Sequence, residues 1–250
     1  MTEKLSVVII TYNEEKNIDV LIGNLDFADE VVVVDSVSTD ATINLLKKYP
    51  QVKVYQHKFE DFSTQRNYSL DYATHDWVLV LDADERLSDQ LKKEITQVIN
   101  SNPKENGFYI KRQFYFKGEL VRFSGLTIDK NLRLFRKNGV RYKGLVHEKP
   151  TVAKPIGTLK HALSHYSYES FEHYLGKVVY YNRLKAIEKY EKGYKPSFLK
   201  KIFHPIYTFF SRYIIRMGIL DGKKGVVLSY IYAKGISERY KELDNLNKRH

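Results

Sequence analysis

The sequence predicts a doubly wound α/β layer, a mostly parallel sheet with helices on both faces. Three observations carry this. Four short apolar, β-branched runs fill the first third of the chain, Leu5 to Thr11, Glu30 to Asp35, Val52 to His57 and Trp77 to Asp82, recurring about every 25 residues. Stretches of helical character separate them, as right-handed βαβ units require. The runs are apolar continuously instead of alternately, the signature of strands covered on both faces.

Taken in order, "LSVVIIT" reads as the first strand and Glu14 to Leu25 as the helix that follows it. "EVVVVD" is the second strand, Asp40 to Tyr49 the second helix, Val52 to His57 the third strand and Thr64 to Tyr72 the third helix. "WVLVLD" is the fourth strand, and a further helix is expected to begin near Leu87 or Ser88. Ligands of such sheets bind beyond the carboxyl ends of the strands, where strand order reverses. Three runs end there in polar clusters, "TYNEE", "DSVSTD" and "DADE", and all three are expected to face one crevice. The chain has no GxGxxG after the first strand and no GxxxxGK[ST], so neither the usual dinucleotide site nor a P-loop is supported.

From Gly107 to Pro150 the pattern shifts to aromatic-rich alternating runs, "FYIKRQFYF" and "NLRLFRK", which predict antiparallel or mixed strands extending the sheet. Ser170 to Lys192 has Phe171, Tyr174, Leu175 and Val178 at helical spacing. Beyond it, Leu199, Ile202, Phe203, Ile206, Phe210, Tyr213, Ile214 and Met217 form one helical stripe, and Pro205 is expected to start or kink a helix. Residues 196–250 hold 11 Lys/Arg against 4 Asp/Glu, with nine aromatics. That composition suits a helix lying in a membrane interface, and equally a helix packed on its own domain. The regions expected are 1–100, a ligand-binding half, 101–165, a second half of the same domain, and 166–250, a helical, basic C-terminal region.

Composition limits the function. The 250 residues contain no cysteine, which excludes disulfides and thiolate metal sites and fits a reducing compartment. The first fifteen residues do not read as a signal peptide, and no window is long and apolar enough to span a bilayer. The net charge of +11 divides into −8 over residues 1–100 and +19 over residues 101–250. A basic nucleic-acid binder explains the total but not the acidic first part, and no zinc-finger spacing or RRM signature accompanies the charge. Separate partners for the two parts, a metal-bound donor and an anionic acceptor or membrane, account for both.

The acid cluster in "WVLVLDADERLS" carries the chemistry. Asp82 and Asp84, two apart, present both carboxylates to one point if extended geometry continues, and such a pair suits Mg²⁺ or Mn²⁺ bridging to a diphosphate. The alternative is that Asp84 caps the following helix. An EF-hand is disfavoured because its sixth loop position is Leu87, not Gly. His161 and His165, four apart, suggest zinc only weakly and are read as structural or acceptor-lining.

The series "VVIITYNEEKNI", "VVVVDSVSTDAT", "TQRNYSL" and "WVLVLDADE", in that order, resembles the nucleotide-sugar-binding half of glycosyltransferase family 2, inverting enzymes with a GT-A fold. Looser similarity through "GLTIDKNLRLFRKNGVRYKGLVHEKP" and "GILDGKKG" is to bacterial lipopolysaccharide-core β-glucosyltransferases and their relatives. The resemblance implies that Thr11, Tyr12 and Glu14 line the nucleoside pocket and that Asp35 holds the base imide, usually of uracil. It implies Arg66 near the base or diphosphate, and Asp82 and Asp84 at the metal and ribose. Asp40, heading a helix, is read as structural.

An inverting transfer needs a base for the acceptor hydroxyl. In this family that base is a carboxylate well downstream of the metal motif. Glu148 fits the place, with His147 as orienting neighbour or itself the base, and Asp129 in reserve. The departure from the commoner Glu-Asp form leaves the choice among them open. Arg133 and Arg136 are candidates to grip a phosphorylated acceptor.

The expected function is thus a metal-dependent transfer of a hexose, glucose foremost, from a UDP-sugar to a hydroxyl of a lipopolysaccharide-core or other membrane-associated glycan. Mg or Mn is the cofactor, and the enzyme sits peripherally at the cytoplasmic face of the cell membrane, on anionic lipid, with no nucleic acid. The rivals are transfer to a polyprenyl phosphate, which needs no base, and a non-catalytic scaffold.

Overall fold

A mixed sheet whose centre is parallel frames the first part of the protein. The computed structural model describes residues 2–126, 129–144, 148–168 and 170–248, the side chains of Ser167 and Tyr168 excepted. They divide into two compact units, residues 1–112 with 129–165, and residues 113–128 with 166–250. The expected middle region therefore contributes its segment 113–128 to the unit built from the C-terminal helices.

In the first unit β1 (Leu5–Thr11), β2 (Glu30–Asp35), β3 (Val52–Gln56) and β4 (Trp77–Asp82) are parallel, with β1 between β2 and β4 and β3 outside β2. Their continuous apolar character is used as expected. Val7, Ile9, Leu79 and Leu81 point into one core layer with Ile18, Leu21 and Ile22 of α1 (Glu15–Gly23) and Leu46 of α2 (Thr42–Leu46). Val8, Val32, Val34, Val78 and Val80 point into the other, with Leu70 of α3 (Phe62–Tyr72). Each such side chain contributes roughly 1.5–3 kcal/mol of burial free energy.

Past β4 the chain turns at Ala83 and Asp84, enters the short β5 (Glu85–Leu87) and starts α4 (Asp89–Asn100). Ser88 caps α4, its hydroxyl accepting from the Leu91 N–H, and Leu91, Ile95 and Ile99 at four-residue spacing face the core. Asp84 is not the cap. The strand order β3-β2-β1-β4-β8-β6-β11-β5 continues through β6 (Gly107–Phe116), β8 (Lys130–Arg136) and β11 (Ile156–Tyr168), with β8 antiparallel to both β4 and β6. β9 (Tyr142–Lys143) and β10 (Lys149–Pro150) form a separate small ladder.

The second unit holds β7 (Glu119–Val121), α5 (Phe171–Glu191), α6 (Phe198–Phe210) and α7 (Lys223–Lys248). Phe114, Phe116 and Val121 pack with Tyr174, Val178, Leu228 and Ile231. Between α6 and α7 lie a π-helical turn, Ser211–Ile215, and a 3₁₀ turn, Gly218–Asp221. Asp221 accepts the backbone N–H groups of Arg122 and Phe123 at 2.9 and 3.0 Å. Gly225 opens α7 against that turn so closely that a Cβ there stands 1.7 Å from the Gly218 carbonyl oxygen. "GILDGKKG" is thus a packing motif of this unit. Pro205 sits inside α6.

Candidate active site

Strand register brings the three polar clusters together. Thr11 lies opposite Asp35 and Ile10 opposite Asp82, so the carboxyl ends of β2, β1 and β4 stand side by side in that order.

At β1 and β2 the side chains hold one another. Asp35 is fully buried, and its carboxylate accepts from the Thr11 hydroxyl at 2.9 Å, the Ser38 N–H and hydroxyl at 2.8 and 2.5 Å, and the Gln56 amide at 3.4 Å. Asp40 accepts from the backbone N–H groups of Thr42 and Glu15, the structural part expected of it. Tyr12 is exposed at the rim. Glu14 accepts from the Asn17 amide at 2.7 Å, and burial, with the charge of Asp84 nearby, pushes its carboxyl up.

The third element, α3, buries an unusual polar face, Ser63, Gln65, Arg66 and Ser69, and the motif "TQRN" explains it. Asp61 caps the helix by accepting from the Thr64 N–H and hydroxyl. Gln65 donates to the Ser36 hydroxyl and the His57 carbonyl, pinning the segments that follow β2 and β3. Asn67 clamps the backbone of Tyr142, donating to its carbonyl at 3.1 Å and accepting its N–H at 2.8 Å. Arg66 joins the site. Its Nη2 donates to Asp82 Oδ1 at 2.8 Å and its Nε to Glu148 Oε1 at 3.0 Å, while Nη1 is buried with no hydrogen-bond partner among the described residues.

Asp82 is the hinge of a buried charge network. Its Oδ2 accepts from Arg133 Nη2 at 2.6 Å, and the same nitrogen donates to Glu85 Oε1 at 2.6 Å. Glu85 closes the turn by accepting the Asp82 N–H at 3.0 Å. Burial opposes ionisation of Asp82, yet Arg133 and Arg66 outweigh it and hold its carboxyl well below the usual carboxylate range. Burial pushes the Glu85 carboxyl up, Arg133 pulling against it. Both guanidinium groups are raised by Asp82, against their own desolvation.

The expected carboxylate pair is therefore divided. Extended geometry ends at Asp82, the turn at Ala83 and Asp84 separates the two side chains, and both Asp82 oxygens are taken by guanidinium groups. Asp84 instead meets His165 of β11, with Oδ2 and Nε2 3.2 Å apart. No group of three or more His, Asp or Glu converges among the described residues. The Asp84 carboxylate suits a hard divalent cation such as Mg²⁺ or Mn²⁺ whose other ligands are phosphate oxygens and water, while the His165 imidazole is a softer donor. His165 gave only a weak signal in the sequence because its partner lies 81 positions away.

Arg133 is 6% exposed, pairs with Asp82 and Glu85, and lines the cavity that those pairs border. Arg136, at the far end of β8, lies opposite Trp77 at the start of β4, pairs with Asp76 at 2.7 Å and stacks over the Trp77 ring. It is not brought to this site. Alternation along a strand predicted neither fate, because both follow from which residues of β4 stand opposite. Asp129 pairs with Arg112 and is more exposed than Glu148. His147 lies outside the described residues.

Glu148, Asp82 and Arg66 open on a cavity of about 390 Å³, whose wall also carries Tyr142, Arg112, Lys130 and Lys149. The last three cations were not singled out by the sequence. Arg86, equally unremarked there, braces the turn by donating to the carbonyls of Ala83 and Glu85 and to the Asn17 side chain. The arrangement holds a carboxylate at the wall of a cation-rich cavity, equipment for anion binding and for base catalysis on a neighbouring hydroxyl.

Comparison with known proteins matches this geometry. Residues 6–151 fit the family described as "Glycosyl transferase family 2". An uncharacterized glycosyltransferase of Rickettsia bellii is 30% identical over 246 residues, covering 93% of this chain and 83% of that protein. The lipopolysaccharide core biosynthesis glycosyltransferase LpsC of Rhizobium meliloti is 27% identical over 250 residues, covering 94% and 93%. Among solved structures, residues 1–349 of S. aureus TarS, also determined with UDP-GlcNAc, superpose with a TM-score of 0.51 at 19% identity, covering 99% of this chain and 92% of that one. The fold is the GT-A arrangement, and the chain belongs to glycosyltransferase family 2.

Proposed function

We propose that the protein transfers a hexose, glucose foremost, from a UDP-sugar to a hydroxyl of a lipopolysaccharide-core or other membrane-associated glycan, with inversion, at the cytoplasmic face of the cell membrane. One observation carries the reading: Arg66 ties Glu148 to Asp82, so a carboxylate distant in sequence stands in the cavity that opens beside the strand ends. The likeness to LpsC supports the acceptor class.

Glu148 is the base that takes the acceptor proton as the hydroxyl oxygen attacks the anomeric carbon. Arg66 orients it and offers its unpartnered Nη1 to the donor diphosphate. Thr11, Tyr12, Glu14 and Asp35 border the nucleoside. Asp84 and His165 would hold Mg²⁺ or Mn²⁺, which would supply positive charge against the departing diphosphate. Asp82 sets the two arginines. Arg112, Lys130 and Lys149 favour an anionic acceptor.

Thermal shift and ligand-observed NMR against a panel of nucleotide sugars, with Mn²⁺, Mg²⁺ or EDTA, test the donor. Metal-dependent binding of one UDP-sugar supports the reading. Binding of none by folded protein overturns it, and a Glu148→Gln enzyme that still transfers moves the acceptor to a phosphate, which needs no base.

A further inference from the structure

Helix α6 is amphipathic and faces the wrong way for a water-soluble surface. Its apolar residues Phe198, Leu199, Ile202, Phe203, Ile206, Tyr207 and Phe210 follow i, i+3, i+4 spacing, and each is between 43% and 74% exposed. Two of its polar residues face inward: Lys201 Nζ lies 2.5 Å from Asp244 of α7, and His204 Nδ1 lies 2.7 Å from the Tyr240 hydroxyl. α6 is thus tethered to α7 by charge and hydrogen bonding. No residue of α6 is buried.

The apolar face does not stop at the helix. Through the π-helical and 3₁₀ turns Ile214, Ile215, Met217, Ile219 and Leu220 are all more than half exposed. A patch of this extent marks a contact surface. Its charge states the partner: residues 192–220 contain six Lys/Arg and not one Asp or Glu.

We propose that this face, Phe198 to Leu220, lies in the interface of an anionic bilayer, α6 parallel to the membrane plane with its stripe at the acyl boundary and Lys195, Lys200 and Arg216 among the headgroups. The chemistry is that of an in-plane amphipathic helix, apolar burial joined to attraction by acidic lipid. Thirteen residues of helix extend roughly 20 Å, short of a bilayer core of about 30 Å. No described helix is long and apolar enough to cross a membrane. The inference deepens the proposed function, on which it rests for its purpose: a surface-bound enzyme meets a lipid-carried acceptor in two dimensions.

The test is flotation of the full chain with phosphatidylcholine vesicles, with and without phosphatidylglycerol, beside the variant Phe203→Glu/Ile206→Glu, whose positions are exposed and leave folding unchanged by Tm. The wild type is expected to float with the acidic vesicles, at least tenfold more than the double variant. Binding weakens but persists as the Debye length falls from about 10 Å at 0.1 M salt to about 3 Å at 1 M. A Trp at Phe203→Trp, set against the single buried Trp77, is quenched by bromine-labelled lipid. Wild type that stays unbound overturns the proposal. So does a wild-type dimer in light scattering that the double variant dissociates without any vesicle binding, since a second copy then covers the face. UDP-sugar binding is measured on the same samples without vesicles. Its loss defeats the transferase reading and leaves the membrane surface standing, and the converse separates the two equally well.

Discussion

Arg66 Nε donates to Glu148 Oε1 across 3.0 Å, joining a helix beside the donor end of the sheet to a carboxylate 82 positions later. That bond fixes the position of Glu148. Glu148→Gln keeps the shape and removes the proposed base, so turnover is expected to fall about 10²- to 10⁴-fold with UDP-sugar affinity within a few-fold of wild type. Arg66→Lys keeps the charge but cannot bridge two carboxylates, and costs about 10- to 100-fold in kcat. Steady-state kinetics with titration of the donor checks both.

Asp84 and His165 come within 3.2 Å of each other, and the proposed function gives the cation to this pair. Asp84→Asn and His165→Ala are each expected to weaken Mn²⁺-dependent UDP binding by roughly tenfold or more, with metal-free binding unchanged. Calorimetry with Mn²⁺ and with EDTA reads the difference. Equal losses in both conditions contradict the assignment.

Arg133 and Arg136, three residues apart on β8, are expected to behave differently. Arg133→Met leaves Asp82 and Glu85 buried without their shared cation, a cost of about 3–5 kcal/mol. Arg136→Ala loses only a half-exposed pair with Asp76 and a ring contact, about 1 kcal/mol, and spares activity. Urea unfolding of the two variants separates them.

Glu30, at the opposite end of β2, provides an acid limit. Burial works against its charge, but hydrogen bonds from Lys53, Ser6 and Thr74 hold it down to about 2. A depressed folded pKa stabilises fully above the unfolded value of about 4.5, and that stability is lost as pH falls toward 2. Glu30→Gln is expected to lower stability at neutral pH by on the order of 2 kcal/mol. The gap between variant and wild type closes as pH drops from 4.5 to 2, and unfolding curves across that range show whether it does.

What the sequence by itself determined is local. Continuous β-branched runs specify β1, β2 and β4 to the residue, and the cluster at each strand end marks the crevice, because parallel strands put all their carboxyl ends on one side of the sheet. The four motifs in order pointed to Arg66 and Asp82, and the expected place of a downstream base to Glu148, with His147 and Asp129 as alternatives, before any contact was visible. Tertiary structure decided the rest. Arg133 was legible only as a basic residue on a strand, since its capture by Asp82 depends on β8 lying antiparallel to β4. His165 became a partner of Asp84 because β11 pairs with β5. The stripe of α6 was plain in the sequence, but periodicity says which residues share a face and not where that face points. Two long-range contacts, Lys201 to Asp244 and His204 to Tyr240, turn the polar side inward and leave the apolar side to a partner.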